Sequence, residues 1–175
     1  MGYFLVIIII VLLIAMLSMV WPPDSPWSPW WRTSKKIARI QCALAKIGEN
    51  DIVFDLGSGE GIALITAVKE FGAKKGVGIE IDPFRVLIAK LVIYITGLQH
   101  KIYIARGNFF NASVSEANVV IMYLIPRTLA KLKPKLLREL KPGTRVVTFV
   151  YKIDLPMIAK DELHEVYVYE IPQKK

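Results

Sequence analysis

Two acids and three glycines carry the chemistry that this 175-residue chain offers. The apolar run Ile52-Val53-Phe54 stops at Asp55, and Gly57, Gly59 and Gly61 follow at alternate positions with Ser58 between the first two. Glycine lets a backbone adopt positive φ and lets a ligand approach the main chain closely. Ile62 to Phe71 then reads as a helix, whose first N–H groups have no partner within it. In the dinucleotide fingerprint G-x-G-x-x-G, the third glycine would fall on Ile62, so this loop does not match a pyrophosphate cradle. A second apolar run, Val77 to Ile81, contains Glu80, 23 residues after Gly57. In nucleotide-binding βαβ units an acid about 20 residues on takes the ribose hydroxyls, and a carboxylate can accept two such bonds at once. Asp82 stands before Pro83 and is expected to cap the next helix.

These residues need strands that end together. Ile52 to Leu56 is expected as strand one and Val77 to Ile81 as strand two. A helix from Pro83 to Thr96 is stopped by Gly97. Lys101 to Ala105 is strand three, followed by Arg106-Gly107-Asn108-Phe109-Phe110-Asn111. Asn118 to Leu124 is strand four, ending at Tyr123. Arg127 to Leu140 is helical, with Pro134 expected to kink or divide it. Arg145 to Tyr151 is strand five. His164 to Ile171 is expected as a last strand, antiparallel at the sheet edge. Ahead of strand one, Thr33 or Ser34 can cap a helix to about Ile47. Strands alternating with helices predict an α/β fold with a doubly wound, mostly parallel sheet. Ligands bind such sheets at the carboxyl ends of the strands, near the switch point. Asp55, Glu80, Asn108 and Tyr123 are expected to gather there.

The N-terminal stretch reads differently. Gly2 to Val20 holds no charge, and about 20 apolar residues as a helix match a bilayer core. Residues 1–20 are therefore expected to form one uncleaved transmembrane anchor; no basic segment precedes it, as a signal peptide would require. Residues 21–32 are expected as a juxtamembrane linker containing Pro22, Pro23, Pro26, Pro29 and all four tryptophans. Residues 33–175 are the folded domain. Arg32, Lys35, Lys36 and Arg39 follow the anchor, and the positive-inside rule then puts the domain in the cytoplasm of a single-pass membrane protein. The expected partner of the N-terminal helix is the lipid bilayer.

The formal charge is +8, and the part from Arg32 onward carries +9. Such a surface favours anionic lipid, nucleic acid or an acidic protein face. The single cysteine, Cys42, excludes an internal disulfide and a cysteine metal cluster, and falls at a core position; no metal site is expected.

Asp55-Leu56-Gly57-Ser58-Gly59-Glu60-Gly61 resembles motif I of class I S-adenosylmethionine (SAM) methyltransferases. From Thr33 on, the chain is similar to the small seven-strand protein-lysine methyltransferases of the ATP synthase c subunit and the adenine nucleotide translocase, and to their archaeal relatives. Thr33-Ser34-Lys35-Lys36-Ile37 and Asn118-Val119-Val120-Ile121-Met122-Tyr123-Leu124-Ile125-Pro126 carry the rest of the likeness. The family commonly has Asp-Gly where this chain has Glu60-Gly61, and often Asp at Asn108. The resemblance implies a Rossmann-like methyltransferase sheet and SAM as cofactor. The cofactor would be held by Asp55, Gly57, Ser58, Gly59, Gly61, Glu80, Ile81, Asn108 and Phe109, with Thr33 and Ser34 closing over it or only capping their helix. It implies methyl transfer to a lysine ε-nitrogen at an entrance formed by Phe109, Phe110 and Tyr123, of which Tyr123 and Phe109 are the expected catalytic residues. The substrate expected is a membrane or membrane-adjacent protein, and nucleic acid is not expected. The alternatives are a methyltransferase of a membrane lipid or quinone and a non-catalytic SAM-binding membrane adaptor.

Overall fold

The computed structural model describes residues 2–20 and 33–173. Helix α1 covers Gly2–Val20. The domain then runs α2 (Lys35–Leu44), β1 (Ile52–Leu56), α3 (Ile62–Glu70), β2 (Lys75–Glu80), α4 (Pro83–Ile95), β3 (Ile102–Arg106), β4 (Val119–Met122), α5 (Pro126–Glu139), β5 (Arg145–Phe149), β6 (Met157–Asp161) and β7 (Val166–Glu170).

Among the described residues, no helix is long and apolar enough to cross a membrane. Helix α1 has 19 residues, which at 1.5 Å per residue span about 28 Å, short of a hydrocarbon core of about 30 Å. The expected transmembrane anchor is therefore withdrawn, and with it the single-pass localisation and the bilayer contact through this helix. The linker expected at residues 21–32 lies outside the described residues.

The seven strands form one sheet in the order β3-β2-β1-β4-β5-β7-β6. The first five are parallel; β7 runs antiparallel to β5, and β6 antiparallel to β7. The expected antiparallel last strand exists, but it is not the edge. Strand β6 covers it, and its burial pattern shows why it is hard to read in the sequence: its side chains are exposed or half-buried, so it lacks the apolar alternation of a core strand.

Alternate residues point to opposite faces of a strand, and both faces here are covered. Val53, Val119, Ile121, Val147 and Val168 join one buried cluster with Ala38, Cys42, Leu64 and Ala67. Phe54, Val120, Met122, Val146 and Tyr169 join the other with Leu129, Leu132, Leu136 and Leu140. Helix α5 runs through Pro134 without dividing. Its buried leucines lie on both sides of the proline, so packing holds the helix across the lost hydrogen bond.

Candidate active site

Strands β3, β2, β1 and β4 are neighbours, in that order. Asn108, Glu80, Asp55 and Tyr123 thus come from four adjacent carboxyl ends. The chain winds outward from β1 to β3 and returns to β4 on the other side, so the switch point lies beside Asp55.

The turn after β1 shows why its glycines alternate. Gly57, Gly59 and Gly61 have φ of +84°, +52° and +79°, a region that residues with a Cβ rarely enter. The Gly57 and Ser58 N–H groups donate to the Ile79 carbonyl at 2.8 and 3.2 Å, and Gly61 N donates to the Ser58 carbonyl at 2.8 Å. The loop is thereby pressed onto β2, and Gly61 starts α3. A Cβ at Gly78 would stand 2.6 Å from Ser58 Oγ and 2.5 Å from Ile104 Cδ1, so β2 needs glycine there. Sequence reasoning missed Gly78. Two glycines inside one strand, Gly76 and Gly78, were the available signal of a close approach.

Glu80 is buried at the end of β2. Its Oε2 accepts from Gly59 N at 2.8 Å, and its Oε1 accepts from Ile81 N and Asp82 N at 2.9 and 3.0 Å. Asp82 caps α4 as expected, accepting from Phe84 N at 2.7 Å with Pro83 in the first turn. Arg85 was read as an interruption of an apolar helix. It is buried, its Nε 3.6 Å from Asp82 Oδ2. Burial opposes its charge, while Glu80, Asp82 and Glu60 favour it. It balances an acidic corner.

Asp55 is buried, and its acidity is perturbed: burial, then the Glu80 charge, pushes its carboxyl up to about 7. A buried acid that ionises with difficulty is a seat for a cation, because an opposite charge restores its ionised form. Ser58 Oγ is buried without a hydrogen-bond partner. These two groups fit a ligand that brings both an ammonium and polar donors, as SAM does.

Asn108 Oδ1 accepts from Phe110 N at 2.9 Å, which shapes the turn after β3, while Gly107 N donates to the Glu80 carbonyl at 2.9 Å. Phe109 and Phe110 stack on each other at 4.9 Å between ring centroids. The Tyr123 ring lies edge-on to Phe149, with centroids 4.7 Å apart. Phe149 was not anticipated as part of the site. Ser34 Oγ caps α2 by accepting from Ile37 N at 3.3 Å, and Thr33 precedes it, half-buried. His164, outside this site, pairs with Asp161 at 2.9 Å.

The chain matches the ANTKMT methyltransferase domain over residues 55–158. It is 40% identical to a protein-lysine N-methyltransferase of Saccharolobus islandicus, over 87% of this chain and 98% of that one. It is 32% identical to the adenine nucleotide translocase lysine N-methyltransferase of Mus musculus, covering 54% of this chain and 41% of that one. Among solved structures, it is similar to an RNA methyltransferase from Salinibacter ruber in complex with S-adenosyl-L-homocysteine. The TM-score is 0.78 at 36% identity, over 83% of this chain and 96% of that one.

Proposed function

This chain belongs to the ANTKMT methyltransferase family and is a SAM-dependent methyltransferase, and we propose that it methylates the ε-nitrogen of a lysine in a protein. The observation that carries this reading is the near full-length similarity to the Saccharolobus enzyme, which is described as a protein-lysine N-methyltransferase. The expectation of a membrane-protein acceptor now rests on the name of the mouse relative alone, because the anchor that also supported it is withdrawn.

SAM, when bound, supplies an electrophilic methyl carbon on a sulfonium. Asp55 faces its ammonium, and binding turns an acid that ionises with difficulty into a paired carboxylate. Glu80 takes a ribose hydroxyl while holding Gly59, and Ile81 and Phe109 flank the adenine, with Asn108 offering its amide to the adenine edge. Gly57, Ser58, Gly59 and Gly61 let the cofactor approach the main chain. Tyr123 stands where the acceptor must enter, and its hydroxyl is placed to accept a hydrogen bond from the incoming amine. Free lysine is protonated near pH 7; an entrance that excludes water favours the neutral amine that can react.

The test is incubation with methyl-labelled SAM and, separately, total protein and total RNA from a methylation-deficient source. Acid hydrolysis should recover the label as methyl-lysine. The Salinibacter likeness and the basic surface favour RNA as a second reading, so label confined to RNA would replace the first with it.

A further inference from the structure

Strand β5 ends at Phe149, and Val150 has φ +65°. That is an outlier for a β-branched side chain. Tyr151 N donates to the Phe149 carbonyl at 2.8 Å, the i to i+2 bond of a γ-turn, here of the strained, positive-φ hand. Val150 N donates to the Glu165 carbonyl at 2.8 Å, and Glu165 also has positive φ, at +53°. Strain of this kind persists where the surroundings impose it, and it concentrates at functional sites.

Its consequence is visible in the packing. Residues two apart in an extended strand share a face. Phe149 packs against the cluster on the α2 and α3 side, yet Tyr151 packs against the cluster on the α5 side. The turn at Val150 thus sends one aromatic to each side of the sheet, and both reach the end of the neighbouring strand β4. Phe149 meets the Tyr123 ring edge-on. Burial, then the nearby Tyr151 and Glu165, holds the Tyr123 phenol above its usual range.

A cleft of about 360 Å³ continues from this point, with Leu129, Ala130 and Ile153 as apolar lining. Lys152 and the Lys133–Asp154 ion pair stand at its rim. Both walls grow out of the aromatic group: Pro126 follows Tyr123 by three residues, and Lys152 follows Tyr151 directly.

We propose that this cleft docks the acceptor polypeptide, with the target lysine passing between Tyr123, Phe149 and Tyr151 and a neighbouring apolar side chain resting on Leu129, Ala130 and Ile153. The proposal rests on the protein-lysine reading. Aromatic faces attract the ε-ammonium, and its proton leaves to water before the N–C bond forms and the C–S bond breaks. The strained turn at Val150 is the positioning device, because an extended residue there would leave Tyr151 on the same side of the sheet as Phe149.

The test uses the full chain and two short synthetic peptides with one central lysine, flanked by leucine in one and serine in the other. The leucine peptide should show a roughly tenfold lower KM, the order expected for burying one apolar side chain. Ala130→Glu, a change at an exposed helix position, should abolish that preference while the SAM Kd stays constant. Tyr151→Ala should lower kcat roughly tenfold, and Tyr151→Phe should recover most of it. Methylation of both peptides with equal KM, or variants that behave as the parent, overturns the docking surface and leaves the lysine reading standing. Label on RNA and on neither peptide overturns both.

Discussion

The backbone N–H of Gly59 donates to Glu80 Oε2 at 2.8 Å, and so links the turn after β1 to the end of β2. With Ile81 N and Asp82 N on the other oxygen, one carboxylate orders three main-chain donors. A carboxylate has about four acceptor positions, so one is left for the cofactor rather than the two that its sequence position suggested. Glu80→Ala should weaken SAM binding by roughly 1.5–3 kcal/mol, the worth of hydrogen bonds to a charged group. Calorimetry that finds the same Kd would remove Glu80 from the site.

Asp55 makes the cofactor-free protein pH-sensitive. Its folded pKa is raised to about 7 from 3.8, so the folded state binds the extra proton. The stabilising contribution is complete below pH 3.8 and is lost as pH rises through about 7. SAM needs the ionised form, so its affinity should rise between pH 5.5 and 7 and stability should fall across that window without it. Asp55→Asn should flatten both profiles. Isothermal titration and thermal melts at matched pH values decide this, and a sloped affinity profile in the variant would exclude Asp55 as the cause.

Gly78→Ala should be far more damaging than Gly76→Ala. The added methyl meets Ser58 and Ile104 atoms at 2.5 to 2.8 Å at position 78, against 3.3 to 3.4 Å from Leu64 and Ile102 at position 76. Overpacking of this kind costs about 1–3 kcal/mol, and displacement of Ser58 should also weaken SAM binding. Denaturant melts of the two variants should differ in midpoint; equal midpoints would show that the loop lifts off β2 freely.

Arg145 tests the scaffold apart from the site. Its guanidinium donates to the Ala45 carbonyl at 2.5 Å and the Lys46 carbonyl at 2.9 Å and pairs with Asp51, clamping the end of α2 to the sheet. Arg145→Ala should cost about 2–3 kcal/mol of stability with an unchanged SAM Kd. A large loss of affinity in the folded variant would place this clamp in the binding machinery.

Cys42 is fully buried, and burial, followed by the Asp55 and Glu70 charges, pushes its thiol up to about 12. It should resist thiol reagents at pH 8 in the native state and react only as the chain unfolds. Rapid labelling without denaturant would show that α2 opens from the core.

Local chemistry was legible in the sequence. Alternating glycines after an apolar run, an acid at the end of the next strand and Asp82 before Pro83 each act through neighbours a few residues away, so Asp55, Gly57, Glu80 and the first four strands could be placed from their order alone. The apolar stretch from Gly2 to Val20 showed the limit of composition: its character was plain, but its helix of 19 residues falls short of a span. Only the tertiary structure decided that β6 covers β7, that Gly78 must clear Ser58, and that Arg85 balances the acids around Glu80. It also decided that Phe149 and Tyr151 both reach Tyr123, since a valine gives no local signal for positive φ. That backbone is imposed by the hydrogen bond to Glu165 and by two cores on opposite faces of the sheet, partners that no sequence spacing reveals.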